Sequence, residues 1–224
     1  VELACKLADL VDANTQIHLI ESGKHALPYG RKFNQRNLQK ALGKRHVEIH
    51  LETRVLKIGS NKVLCVSYKN QEPKTFSLAH KGVVWTAGTT ANIPNLFKEF
   101  PLKRGRILIN KYLQIIGFKD AFALGDAACY AKGSWPLNAQ VAIQQGRAAA
   151  KVLIALRAGK IPKQFQFFDY GEMISLGIGD ATIKVLGFPL SGTFAFFIRR
   201  LIYRAKIQRL SLFSLLLRVR FLGN

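Results

Sequence analysis

Apolar residues at positions 3, 4, 7, 10 and 11 of the opening VELACKLADLVD recur at helical spacing and predict a helix over 1–12. Asn14 and Thr15 mark a turn, after which 16–21 (QIHLIE) reads as a buried strand that ends in an acid. Residues 31–45 predict a polar helix closing on a Lys-Arg cluster. Segments 46–50 and 53–58 read as short strands, and 62–68 with 74–78 as a hairpin pair. The run 82–86 (GVVWT) predicts another buried strand, followed by Ala87-Gly88. Segments 107–110 and 121–124 predict short strands, and Gly125-Asp126 follows the second. A long Ala-rich helix is expected over 138–158, ending at Gly159. From Pro162 a meander runs to about Pro189, and an amphipathic tail follows. Strands alternating with helices predict an α/β fold.

Composition narrows the class. Hydrophobic residues make up 49% of the 224 positions and charged ones only 21%, which supports a packed core and excludes a disordered polybasic chain. The net charge of +21 is unevenly placed: no acid follows Asp180, while Lys184, Arg199, Arg200, Arg204, Lys206, Arg209, Arg218 and Arg220 do. Phe194, Phe197, Ile198, Leu201, Ile202 and Ala205 fall on one helical stripe, with the arginines largely off it. Large apolar side chains opposite arginines describe a helix lying in a membrane interface. The expected partner is therefore an anionic membrane surface, met through 193–221, and nucleic acid is disfavoured. No apolar run reaches the roughly eighteen residues of a simple spanning helix. Cys5, Cys65 and Cys129 stand far apart, so three small buried thiols are expected rather than a disulfide framework, and no metal constellation is expected. The chain opens on Val1 and its only methionine is Met173, which reads as a processed chain or a piece of a longer one.

The candidate chemistry begins with the helix followed by a strand ending in Glu21. In a dinucleotide-binding βαβ unit, an acid in that place holds the adenosine ribose hydroxyls, and a carboxylate favours NADH over a 2′-phosphorylated cofactor. A solvated strand-end acid is the bland alternative. Glu2 is either a helix-start acid, favourable with the dipole, or a contact on the nicotinamide side. Ala87 and Gly88 are small enough to let backbone approach a flat ligand. Gly125-Asp126 lies at the carboxyl end of an apolar strand, where ligands bind in open α/β sheets; the alternative is a turn Asp capping a helix. The helix N-terminus at Asn138, Ala139 and Gln140 would favour negative charge beside it. Gln140 and Gln144 are four apart and share a face, whereas Gln145 reads more readily as solvated.

These motifs carry a resemblance that covers essentially the whole chain: V-E-L-A, H-A-L-P-Y, W-T-A-G, A-L-G-D-A-A, A-Q-V-A-I-Q-Q-G and G-E-M-I-S-L-G. Together they resemble type II NADH:quinone oxidoreductases of the FAD-dependent pyridine nucleotide-disulphide oxidoreductase superfamily. The tail is most similar to the cyanobacterial and plastid branch. The resemblance implies the C-terminal part of a flavoprotein with two Rossmann-like dinucleotide-binding domains and a membrane-docking helical tail. It divides the chain into a NAD(H)-binding domain at 1–81 lacking its first strand and glycine loop, the C-terminal part of the FAD-binding domain at 82–160, and a membrane-associating region at 161–224. It implies FAD and NAD(H) as cofactors, with NADH and a membrane quinone as partners. Glu2, Glu21, Ala87, Gly88, Gly125, Asp126, Ala139 and Gln140 would bind cofactor. Gln140 would sit at the isoalloxazine, and Gln144 and Gln145 would line the quinone approach. A peripheral position on the cytoplasmic or stromal face of a membrane follows, and a homodimer is left open. The rival readings are a soluble ferredoxin- or rubredoxin-type reductase of the same fold, and a cofactor-free membrane-binding fragment.

Overall fold

The computed structural model describes residues 1–97 and 99–208. They fall into two compact units, Val1–Val83 with the chain from Tyr170 onward, and Val84–Asp169.

The first unit opens with helix α1 (Glu2–Ala8), strand β1 (His18–Ile20), helix α2 (Lys32–Lys44) and strand β2 (Glu48–His50). β1 and β2 pair in parallel, with His18 beside Glu48 and Ile20 beside His50. The predicted buried strand is shorter than its apolar run, and its residues are only half-buried. Strands β3 (Thr53–Ile58), β4 (Lys62–Ser67) and β5 (Lys74–Ala79) follow as an antiparallel meander. After the second unit the chain returns as β9 (Gly171–Ser175), β10 (Ala181–Val185) and β11 (Phe188–Ser191), again antiparallel, and closes on α4 (Thr193–Gln208). Ala4 and Cys5 of α1, Leu38, Ala41 and Leu42 of α2, and Ile174 of β9 share one core. A polar knot crosses its edge. Buried Asn34 donates to Glu172 Oε2 (2.7 Å) and accepts from Thr182 Oγ1 (2.8 Å), so both ends of the amide are satisfied. Burial raises the thiol pKa of Cys5 and of Cys65, as expected of thiols that pack rather than react.

A second tie joins α1, α2 and the β9–β10 turn. Arg45 donates from Nε to Asp9 Oδ1 (2.7 Å), and the Ile178 N–H donates to Asp9 Oδ2 (2.6 Å). Gly177 has φ +114°, and a Cβ there would run into the Asp9 carboxylate and the Arg45 guanidinium, so only glycine lets the turn close on this pair. Desolvation pushes the Asp9 carboxyl up. The Arg45 hydrogen bond, the Ile178 N–H and the Arg45 charge outweigh it and hold the group below its ordinary value. A depressed folded-state pKa stabilises above the unfolded value and is lost as pH falls through the folded one. Asp9→Asn is therefore expected to lower stability by about 1 kcal/mol at neutral pH. The gap from the native chain should narrow below about pH 4, as read from urea midpoints across pH.

On α4, Ala195 and Ala205 are buried, and Phe196 and Ile198 pack with Ala181 and Ile183 of β10. The expected single apolar stripe is thereby divided. Part of it covers the sheet, while Phe194 and Phe197 stand exposed on the same helix as exposed Arg200 and Arg204. No helix among the described residues is long and apolar enough to cross a membrane. Arg209, Arg218, Arg220 and the apolar residues between them lie outside the described residues.

The second unit holds β6 (Leu102–Lys103) antiparallel to β7 (Arg106–Ile109), β7 parallel to β8 (Ala128–Tyr130), and α3 (Ala139–Arg157). Ile107, Ile109, Leu113, Ile115, Ala123, Ala149 and Phe165 form its core. Two expected strands do not form. Residues 121–124 make one bridge among the described residues, Gln114 with Phe122, and Gln114 Nε2 donates to the Lys119 carbonyl (2.7 Å) in the loop before them. Residues 82–86 join no ladder among the described residues, and Val84 (61%) and Trp85 (60%) are exposed. An apolar run becomes a buried parallel strand only between neighbours on both sides.

Candidate functional site

In the second unit, residues 125–127 form a single 3₁₀ turn between the loop and β8. Gly125 has φ +62°, a conformation that disfavours any side chain, and a Cβ there would stand 3.2 Å from the Ala142 methyl of α3. The turn therefore lies directly on the helix. Two bonds fix it. The Gly125 N–H donates to Gln145 Oε1 at 2.6 Å, and Arg106 Nε donates to the Asp126 carbonyl at 2.8 Å. Gln145 is 1% exposed. The side chain of Asp126 is left exposed, with no partner for its carboxylate among the described residues.

α3 starts beside this turn. Asn138 is extended at the N-cap, and its Oδ1 accepts from the Val141 N–H at 3.0 Å. Ala139 begins the helix, and its N–H has no acceptor among the described residues, which leaves a positive helix end open to a ligand. Gln140 is half-buried and engaged within the chain. Gln144 makes a two-way bridge to Phe168, donating from Nε2 to its carbonyl (2.8 Å) and accepting its N–H (3.0 Å). The bland reading of Gln145 as a solvated glutamine needs correcting. Gln145, read as solvated, is the buried one and holds the Gly125 turn. Gln144 secures the extended segment that follows α3. Both side chains hydrogen-bond to backbone groups of the second unit. Ala87 and Gly88 lie in an exposed coil, with Gly88 at φ +89°.

In the first unit, Glu21 follows β1. Its backbone joins β2 and β3, with its N–H donating to the His50 carbonyl and its carbonyl accepting from Thr53. Oε1 accepts from the Gly23 N–H at 2.7 Å, which fixes the carboxylate at the strand end; Oε2 has no partner among the described residues. Glu2 stands in the first turn of α1, where it favours the dipole. Its Oε1 accepts from the Ser175 N–H (2.6 Å) and from Arg199 Nη2 (3.1 Å), so it ties α1 to β9 and α4.

Two groups escaped the sequence reading, Arg106 and a His-Glu-His cluster. Arg106 lies 20 residues from the carbonyl it holds. The cap role of Asn138 was legible from its type and place before the Ala-rich run. His18, Glu48 and His50 converge on one face of the β1–β2 pair. The signal was there in the two-residue spacing of Glu48 and His50, which puts both on one strand face. Burial lowers the pKa of the His50 imidazole, and the nearby His18 adds to this against the pull of Glu48.

The model of the pyridine nucleotide-disulphide oxidoreductase family matches residues 1–146. The chain is similar to the demethylphylloquinone reductase NdbB of Synechocystis sp., at 32% identity over 209 residues that cover 91% of this chain and 50% of that protein. It is similar to the type II NADH:quinone oxidoreductase of Staphylococcus aureus, at 33% identity over 125 residues, 53% of this chain and 31% of that protein. Among solved structures, NDH2 from Plasmodium falciparum in complex with NADH superposes with a TM-score of 0.70 at 14% identity, over 93% of this chain and 58% of that one. At that identity the likeness establishes the α/β dinucleotide-binding fold. The chain spans half or less of the length of these curated relatives.

Proposed function

The chain belongs to the pyridine nucleotide-disulphide oxidoreductase family, and we propose that it forms part of a type II NADH:quinone oxidoreductase that takes hydride from NADH and passes electrons to a membrane quinone. The observation that carries the reading is the Gly125–Asp126 turn. It is a positive-φ glycine pinned to α3 by Gln145, and it presents a carboxylate and a helix N-terminus that take no partner among the described residues. Those residues fit a flavin: Asp126 to accept from a ribityl hydroxyl, Gly125 for close approach, and Ala139 with Gln140 at the ring, where the helix end favours negative charge. When bound, FAD supplies the redox chemistry, and the protein orients and tunes it. Glu21 keeps Oε2 for a ribose hydroxyl of NADH. The resemblance-derived division, NAD(H) part at 1–81, FAD part at 82–160 and membrane region at 161–224, belongs to the same proposal, as do cofactor contacts at Glu2, Ala87 and Gly88.

Membrane attachment is supported by exposed Phe194 and Phe197 with Arg200 and Arg204 on α4, and by exposed Leu186 and Phe188 at the β10–β11 turn. The test is NADH oxidation coupled to reduction of a short-chain quinone by the purified flavin-containing protein, together with flotation on vesicles rich in anionic lipid. Rapid quinone reduction and salt-sensitive flotation are expected. Activity with a ferredoxin in place of quinone, and no flotation, would favour the soluble reductase instead. Within this reading, Glu21→Gln is expected to reduce the NADH over NADPH preference in kcat/KM about tenfold, since a charge-assisted hydrogen bond is lost and the repulsion of a 2′-phosphate with it.

A further inference from the structure

Outside the cofactor groups, the parallel pairing of β1 and β2 gathers three lone-pair donors. The register sets His18 beside Glu48, and His50 follows two residues later on the same strand face. His18 Nδ1 lies 3.0 Å from His50 Nε2 and 3.3 Å from Glu48 Oε2, and His50 Nε2 lies 3.4 Å from Glu48 Oε1. Two imidazoles and a carboxylate at such distances cannot all be satisfied by one another. A proton between the two rings serves one pair and leaves the carboxylate to compete for it. A single cation serves all three. With bonds of about 2.0–2.1 Å to nitrogen and oxygen, the edges of a tetrahedron around zinc are about 3.3 Å. The observed separations, which reach different oxygens of Glu48, are of that size, and one ligand atom from each of the three residues lies within 4.8 Å of the others, so small side-chain rotations bring the set onto one ion.

We propose that His18, Glu48 and His50 bind a borderline divalent transition-metal ion of the zinc type, with three protein ligands and a fourth position open to water. Two nitrogens and one carboxylate oxygen suit zinc rather than calcium or magnesium, which take mostly oxygen ligands. The site is reachable yet sheltered. The Glu48 side chain is 54% exposed, while those of His18 and His50 are 25% and 15% exposed. The Phe76 ring of β5 packs against His50 with centroids 5.6 Å apart and holds that imidazole in place. Because the ligands come from both strands, an ion there clamps β1 to β2. The site stands independently of the flavin and quinone reading.

The test is calorimetric titration of Zn²⁺ into tag-free protein that has been stripped with chelator and desalted, with thermal midpoints recorded alongside. One ion per chain and a raised midpoint are expected, since a ligand that binds only the folded state stabilises it. His18→Gln, His50→Gln and Glu48→Gln are each expected to weaken binding by more than the roughly 10–100-fold that follows loss of an outer partner of a ligand. His80→Gln, which alters an imidazole elsewhere in the unit, should leave both affinity and midpoint shift unchanged. Glu48 is mostly exposed, so Glu48→Gln folds regardless of what the imidazoles contribute to packing, and its result is decisive. Native affinity retained in Glu48→Gln, loss of binding in His80→Gln, or no stoichiometric binding by the native chain would each overturn the proposal.

Discussion

Gln145→Ala is expected to lower the stability of the chain by about 2–4 kcal/mol and to abolish flavin retention. The magnitude has two sources. Truncation removes the Oε1 that accepts from Gly125, and a partly buried N–H left without a partner costs roughly 1–3 kcal/mol. It also opens a cavity where a side chain only 1% exposed now packs, which adds a loss of the same order. The two contributions separate experimentally. Gln145→Met keeps most of the volume and discards the acceptor, so it should retain the packing share and lose only about 1–3 kcal/mol. Urea midpoints of the apoprotein give the stability difference, and flavin absorbance of the purified protein gives occupancy. The functional loss follows from the same bond. Gly125 sits in a left-handed conformation against α3, and without the 2.6 Å tether nothing on the helix dictates that the turn stay there. An apoprotein of native stability in Gln145→Ala would show that the turn is held by Arg106 alone.

Gln145 also shows where sequence reasoning stops. Helical spacing correctly placed α2 and α3, because amphipathic periodicity, the Asn138 cap and Gly159 are local signals. The same spacing establishes that Gln140 and Gln144 share a face, but it cannot say which face turns inward. Adjacent helical residues point about 100° apart. Whether Gln144 or Gln145 is buried thus depends on what packs against α3, and the Gly125 turn is 20 residues away. The strands at 53–58, 62–67 and 74–79 and the hairpin of the last two were legible because each strand pairs with its sequence neighbour. The run at 82–86 was misread because its apolar character speaks only to burial, and a parallel strand needs partners distant in sequence. The Gly125-Asp126 turn was legible as a candidate site, since an acid after glycine behind an apolar run follows the logic of open α/β sheets. Arg106, which steadies its carbonyl, was not. The His18–Glu48–His50 cluster was half legible: strand alternation unites Glu48 with His50, but only the register of β1 on β2 brings His18 to them.

Asp126→Ala should behave in the opposite way to Gln145→Ala, and the contrast makes it the sharper test of the flavin reading. The carboxylate is exposed and takes no partner among the described residues, while the turn that presents it is held through the Gly125 N–H and the Asp126 carbonyl. Both of those are backbone groups and survive the substitution. Removing the side chain should therefore change apoprotein stability by less than about 0.5 kcal/mol. If the carboxylate accepts from a ribityl hydroxyl, one charge-assisted hydrogen bond is lost, worth about 1.5–3 kcal/mol, and flavin affinity should fall roughly 10- to 150-fold. Asp126→Asn keeps an acceptor oxygen without the charge and should fall between the native and alanine proteins. Flavin fluorescence titration of the apoprotein measures the affinity, and urea unfolding of the same preparation measures the stability. Unchanged flavin affinity would remove Asp126 from the site. A large stability loss would instead make it a turn-forming residue, a role that its exposure and lack of partners argue against.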